Sequence, residues 1–237
     1  MEAAETLKDK MVINDAKCNT ITFNFSQNNT EPHDLSLNGN IIKNCDNIKL
    51  LGFIITNDLR WSENTSHICK KVNRKFYLIC KLKQFRVKIS ELLTIWKVLL
   101  RPIAEYAAPL WHSGLLNSDS NRLETLQKKA LGLILGTIYI ENRRYYNIND
   151  QPFSYENALD YLNMQTLDQR REDLLQKFAV ETFKNDRHID FFEQPIETGY
   201  DTRSISNVQG INCKNTRYLK SAIPYMSSVL NNIRFNN

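Results

Sequence analysis

Three strand-like stretches open the chain. "TITFNF" (20–25) alternates apolar and polar positions, which sets Ile21, Phe23 and Phe25 on one face of a half-buried strand. "LSLNGNII" (35–42) carries Asn38-Gly39 between two apolar pieces, and Asn-Gly accepts the left-handed dihedrals of a two-residue hairpin turn. "KLLGFII" (49–55) is continuously apolar, as a strand covered on both faces would be. Asn57-Asp58 then predicts a turn.

From Ser62 the period becomes helical. Ser62 is placed as the N-cap of a helix reaching about Leu82, with Ile68, Val72, Phe76 and Ile79 facing inward. Helical stepping gathers Lys70, Arg74, Tyr77 and Lys81 on the opposite side. Ser90 is placed to cap a second helix, "ELLTIWKVLL", which Pro102 should kink or end before "IAEYAAPLW" resumes the apolar pattern. A third helix starts near Asn121, turns Leu123, Leu126, Ala130, Leu133 and Ile134 inward, and stops at Gly136. "SYENALDYLNM" and "TLDQRREDLLQKFAVETFKN" predict two more. Residues 195–216 read as polar loop, and "RYLKSAIPYMSSVLNNI" as a short helix broken near Pro224. The expected fold class is α+β, a small N-terminal β-hairpin/strand element followed by a predominantly α-helical bundle. The expected segments are 1–61, 62–150 and 151–237.

The apolar runs also bear on membranes. "ALGLILGTIYI" (130–140) falls short of the roughly 20 residues a span needs, and the longer stretch 92–111 is interrupted by Lys97, Arg101 and Glu105. No membrane partner is expected. Met1 is followed by Glu2 and Glu5 rather than a basic segment and an apolar core, so no secretory signal is expected. Cys18, Cys45, Cys69, Cys80 and Cys213 are scattered without CxxC or metal-ligand spacing, which predicts a reduced intracellular setting, nuclear or cytoplasmic.

Charge sharpens the picture at one place. The net charge is only +5. Yet Lys70, Lys71, Arg74, Lys75, Lys81, Lys83, Arg86, Lys88, Lys97 and Arg101 stand between His67 and Arg101 against a single acid, Glu91. Such an imbalance attracts polyanions, and an interleaved Tyr77 suits packing on a sugar or base. Composition leaves two readings open, a nucleic-acid surface or a solvated helix face. The candidate nucleic-acid-binding residues are Lys70, Lys71, Arg74, Tyr77, Lys81, Lys83, Arg86 and Lys88.

Catalytic and metal motifs are sparse. The seven glycines never form GxGxxG or GxxxxGK followed by Ser or Thr, so no phosphate loop is expected. His33, His67, His112 and His188 are too dispersed for a zinc site. Ser113-Gly114 lacks the glycine two residues before the serine that a nucleophile elbow needs. His188-Ile189-Asp190 matches half of an iron facial triad, but no histidine follows. Glu172-Asp173, the only adjacent acidic pair, sits beside Arg170 and Arg171, where intrahelical ion pairing is the expected arrangement. No catalytic residue, metal or cofactor is assigned.

Six segments occur in a telling order: "MVINDAKCNTITFNF", "LSLNGNIIKNCDNIKLLGFIITNDLRW", "HICKKVNRKFYLICKLK", "LLTIWKVLLRPIAEYAAPLWH", "LETLQKKALGLILG" and "LDQRREDLLQKF". The series resembles the C-terminal part of reverse transcriptases from non-LTR retrotransposons of the jockey and CR1 kind, from about residue 7 onward. The closing "RYLKSAIPYMSSVLN" is similar to the tail of that polyprotein. The resemblance implies that residues 7–25 form the last palm segment, with Lys17 at its lysine position. It makes 35–56 the hairpin joining palm to thumb, and 62 to about 136 a thumb that closes over template–primer duplex. It therefore implies RNA or an RNA–DNA duplex as a weak, shape-recognised partner.

One departure matters for activity. Polymerases of this kind hold two metal ions with aspartates, the last pair in an aromatic-x-Asp-Asp strand. This sequence contains no Asp-Asp pair. The resemblance thus implies a non-catalytic remnant. Residues 47–85 also resemble a short N-terminal module named after an AlkB-family tRNA dioxygenase–methyltransferase, although the second iron histidine and a glycine-rich methyl-donor loop are missing. Two alternatives stay open: an enzyme fragment acting with a separate palm or carrying the dioxygenase activity, and a protein-interaction module self-associating through an exposed strand 49–55.

Overall fold

The computed structural model describes residues 13–14, 17–23, 34–135, 138–140, 143–145, 154–193, 207–211 and 216–233. They form an α+β, mostly helical fold that divides into two compact units, Met1–Glu63 and Asn64–Asn237. The second unit takes in both helical segments expected from the sequence.

The first unit is built from short strands. β1 (Asn19–Thr20) pairs in parallel with β4 (Lys43–Asn44), while β2 (Ser36–Leu37) and β3 (Asn40–Ile41) form a hairpin. Its turn is the expected Asn38-Gly39, with φ of 52° and 82°. β5 (Asn47–Leu50) and β6 (Phe53–Thr56) form a second hairpin, registered from Asn47↔Thr56 to Leu50↔Phe53.

This second hairpin corrects the reading of 49–55. Leu51-Gly52, with φ of 47° and 98°, reverses the chain, so "KLLGFII" is two paired strands rather than one buried strand. Gly52 accepts the left-handed turn freely, and the apolar run hid it. Lys49 and Leu50 lie exposed while Phe53 is buried, so β5 is not covered on both faces. "TITFNF" is corrected too: among its described residues, 20–23, only Thr20 is strand and Phe23 is exposed, while Phe25 lies outside the described residues. The expected turn at Asn57-Asp58 is present. Leu59 N–H donates to the Thr56 carbonyl at 2.9 Å, and Arg60 N–H donates to Asp58 Oδ1 at 3.0 Å.

The second unit rests on long helices. α1 (Ser62–Gln84) starts at Ser62 and buries Ile68, Val72, Phe76 and Ile79, as its period requires. α2 (Ile89–Ile95) has Lys88 in the N-cap position, so Ser90 falls in its first turn. A π-helical turn, Trp96–Leu100, leads directly into α3 (Arg101–Glu105). Pro102 therefore neither ends nor isolates the segment. Its missing N–H coincides with a widened turn in which Arg101 N–H reaches back to the Trp96 carbonyl. Fully buried Trp96 stacks on Phe76, ring centroids 6.2 Å apart, and joins this segment to α1.

α4 (Ala108–Trp111) precedes α5 (Asn117–Leu135), which starts four residues earlier than expected and buries Leu123, Leu126, Ala130, Leu131 and Ile134. Leu133 is only partly buried, and Gly136 lies outside the described residues. A β7–β8 hairpin (Ile138–Ile140, Arg143–Tyr145) follows. α6 (Tyr155–Tyr161) and α7 (Leu167–Phe183) begin at Ser154 and Thr166, whose side chains accept from Asn157 N–H and Gln169 N–H.

α8 (Thr216–Leu219) and α9 (Ala222–Asn232) are separated at Lys220-Ser221, not at Pro224. The proline sits in the first turn of α9, where no backbone N–H is required. Leu175, Ala179, Phe192, Val208, Met226, Val229 and Leu230 form a core between α7 and α9. No helix among the described residues is long and apolar enough to cross a membrane.

Candidate nucleic-acid interface

α1 separates its faces by the position of its apolar residues. With Ile68, Val72, Phe76 and Ile79 inward, residues 70, 74, 77 and 81 must fall outward. Lys70, Lys71, Arg74 and Tyr77 are exposed and Lys81 is half-buried. Lys81 Nζ lies 5.5 Å from the centre of the Tyr77 ring, a cation–π distance. Lys70, Lys71, Arg74, Lys75, Arg86 and Lys88 make no ion pair with any described residue. Their charge is therefore uncompensated locally.

Two of the expected residues are held by specific backbone geometry. Lys83 points away from the stripe: its Nζ donates to the Leu133 carbonyl at 2.5 Å, in the last turn of α5, and burial lowers its pKa. It neutralises a helix C-terminus rather than facing solvent charge. Arg86 follows the end of α1 with φ of 59°. Val87 N–H donates to the Leu82 carbonyl at 3.2 Å and Arg86 N–H to that of Lys83 at 2.9 Å, the paired bonds of a Schellman cap. Arginine thus occupies the position that glycine usually takes. Lys88, the α2 N-cap residue, is exposed two residues on.

Sequence reasoning missed two residues here. Lys129, from α5, donates to Asn73 Oδ1 at 3.1 Å and lies 4.9 Å from the Phe76 ring centre, which adds a cation at the edge of α1. Nothing in the α1 sequence signals it, although "LETLQKKALG" carries it. Phe85 was also missed and stands exposed directly after the helix. Lys17 is exposed.

The other concentration of charge is buried, around Arg171 on α7. Its side chain is 0 % exposed. Nη2 donates to Ser120 Oγ at 2.9 Å and Asp168 Oδ1 at 3.1 Å, Nε donates to His112 Nδ1 at 3.4 Å, and the guanidinium lies 6.0 Å from the Trp111 ring centre. Since Nδ1 of His112 accepts, its proton sits on Nε2, 3.3 Å from Glu172 Oε2. Burial and the adjacent Arg171 hold the His112 pKa below its ordinary value, so the ring is neutral. Burial pushes the Asp168 carboxyl up, but bonds from Ser120 and the charge of Arg171 outweigh it and leave its pKa lowered.

The ion pairing expected of Glu172 and Asp173 with the adjacent arginines is replaced by other contacts: Glu172 faces His112 and Tyr225, and Asp173 accepts from Gln165. Arg171 pairs instead with Asp168 on its own helix, and Arg170 reaches Glu105 on α3 with contacts of 2.5 and 3.2 Å. Both His112 nitrogens are engaged by these groups, and Ser120 Oγ donates to Asp168 rather than to the ring. The cluster clamps α3, α4, α5 and α7 together. Among the described residues, no three His, Cys, Asp or Glu side chains are grouped to hold a metal ion. No family model matches the chain, and no curated protein or solved structure matches it.

Proposed function

We propose that the chain is a non-catalytic nucleic-acid-binding module, a thumb-and-tail remnant of a reverse transcriptase. It binds RNA or an RNA–DNA duplex weakly, by backbone shape rather than sequence. The observation that carries this reading is the outward stripe of Lys70, Arg74 and Lys81 on α1, continued by Arg86 and Lys88 beyond it, its exposed cations lacking acidic partners. The ordered similarity of six segments to the end of a retrotransposon polymerase supports it. So does the lack of an Asp-Asp pair to seat catalytic metal.

Phosphate neutralisation gives the reading a measurable signature. If about four phosphates are engaged, affinity for an RNA–DNA hybrid falls on the order of a hundredfold between 50 and 200 mM salt. Replacing Lys70 and Arg74 together by Ala lowers the slope of log affinity against log salt by about two. Fluorescence anisotropy with a labelled hybrid reads both. Absence of binding at 50 mM salt discards the proposal.

A further inference from the structure

We propose that the α1 stripe also takes unpaired nucleotides, with Tyr77 and Phe85 as platforms on which bases stack. This rests on the nucleic-acid reading above and adds base contacts to its phosphate contacts. Phe85 is 79 % exposed and Tyr77 68 %, so both rings stand in water, and Lys81 Nζ lies 5.5 Å from the Tyr77 ring centre. Folding gains little from an aromatic ring left this open.

Along α1 and the residue just beyond it stand Lys70, Arg74, Tyr77, Lys81 and Phe85, each three or four residues from the next, so one stripe interleaves charge with ring. Sites that hold single strands combine cations for the backbone with rings for base faces, and every base has such a face. A paired duplex hides those faces within its own stack.

Spacing narrows the ligand further. Phe85 follows Tyr77 by eight positions, about 12 Å along the axis. Stacked bases advance about 3.4 Å per step, so the two rings cannot serve neighbours in an intact stack. They suit bases splayed from an extended strand, with Lys81 between them for a phosphate. The Schellman cap fixes the turn that carries Phe85 and Arg86, so ring and guanidinium are presented on ordered backbone.

The test compares three labelled probes by anisotropy at 50 mM salt. They are a single-stranded oligouridine about twelve nucleotides long, an abasic strand of the same length and charge, and an RNA–DNA hybrid duplex. Oligouridine should bind roughly five- to a hundredfold more tightly than the abasic strand. Phe85→Ala should lower that ratio several-fold, Tyr77→Ala together with Phe85→Ala should bring it close to one, and Phe85→Tyr should keep it at the parent value. Circular dichroism melts verify that each variant folds. Equal affinity for oligouridine and abasic strand, with the hybrid still bound, overturns the stacking proposal and leaves the phosphate interface standing. A ratio untouched by Phe85→Ala overturns it as well. Failure of all three probes removes both readings.

Discussion

At the scale of single residues, two helix ends make an instructive pair. α6 closes with Asn163 at φ of 49°, Met164 N–H donating to the Leu159 carbonyl and Asn163 N–H to that of Asp160, the same cap that closes α1. Asparagine tolerates the left-handed region, whereas arginine there costs about 1 kcal/mol. Arg86→Gly should therefore raise the urea midpoint, by about 1 kcal/mol of stability, while weakening binding to an RNA–DNA hybrid. A variant that loses both stability and affinity would contradict this account. His112 supplies a second residue-level prediction. Its folded pKa is lowered, so the unfolded chain binds more protons as pH drops. Stability contributed by the neutral ring is complete above about pH 6.5 and is lost as pH falls through the lower folded value. His112→Gln keeps an acceptor for Arg171 and a donor for Glu172 without a titrating ring. Urea midpoints measured between pH 5 and 7 should fall less steeply in this variant than in the parent protein.

At the scale of elements, helix ends are completed by side chains from elsewhere. Glu124 of α5 accepts from Leu167 N–H and Asp168 N–H, each at 3.1 Å, which places a carboxylate on the N-terminus of α7. It also accepts from the Tyr155 hydroxyl, and burial together with this bond raises the tyrosine pKa well above its usual value. Glu124→Gln should cost about 1–2 kcal/mol in urea unfolding; a loss below about 0.5 kcal/mol would mean that Thr166 alone caps the helix. This contact shows where sequence reasoning stops. Ser154 and Thr166 open the two stretches read as helices, and each caps the helix it lies beside. Glu124 was not legible, because its target is more than forty residues away. The Leu51-Gly52 turn escaped for another reason, since leucine is a poor turn residue and its neighbours are all apolar. Pro102 does not end its segment, and a proline alone cannot disclose that the ladder widens before it.

At the scale of the whole molecule, charge and architecture are unevenly shared. The segment 67–101 carries ten basic residues and one acid, so the rest of the chain is net acidic despite a total of +5. The exposed part of that excess lies on α1 and the turn beyond it, and the buried side of α1 meets Trp96 and α5. A fragment spanning 62–237 should thus unfold cooperatively by itself, as a single transition in circular dichroism and in tryptophan fluorescence. It should also keep the salt dependence of hybrid binding. Non-coincident transitions, or a slope that disappears with the first unit, would argue against placing the interface on α1. The basic stripe was legible from periodicity, but the diversion of Lys83 to the end of α5 was not, because it depends on which helix lies alongside.

The hairpin tip has an evolutionary corollary. Leu51 combines a left-handed backbone with 78 % of its surface in water, two disadvantages that asparagine, aspartate or glycine would relieve together. In a randomised library sorted only for heat tolerance, codon 51 should drift away from leucine toward those three. If leucine persists through such sorting, its side chain contributes more to stability than the strained backbone costs.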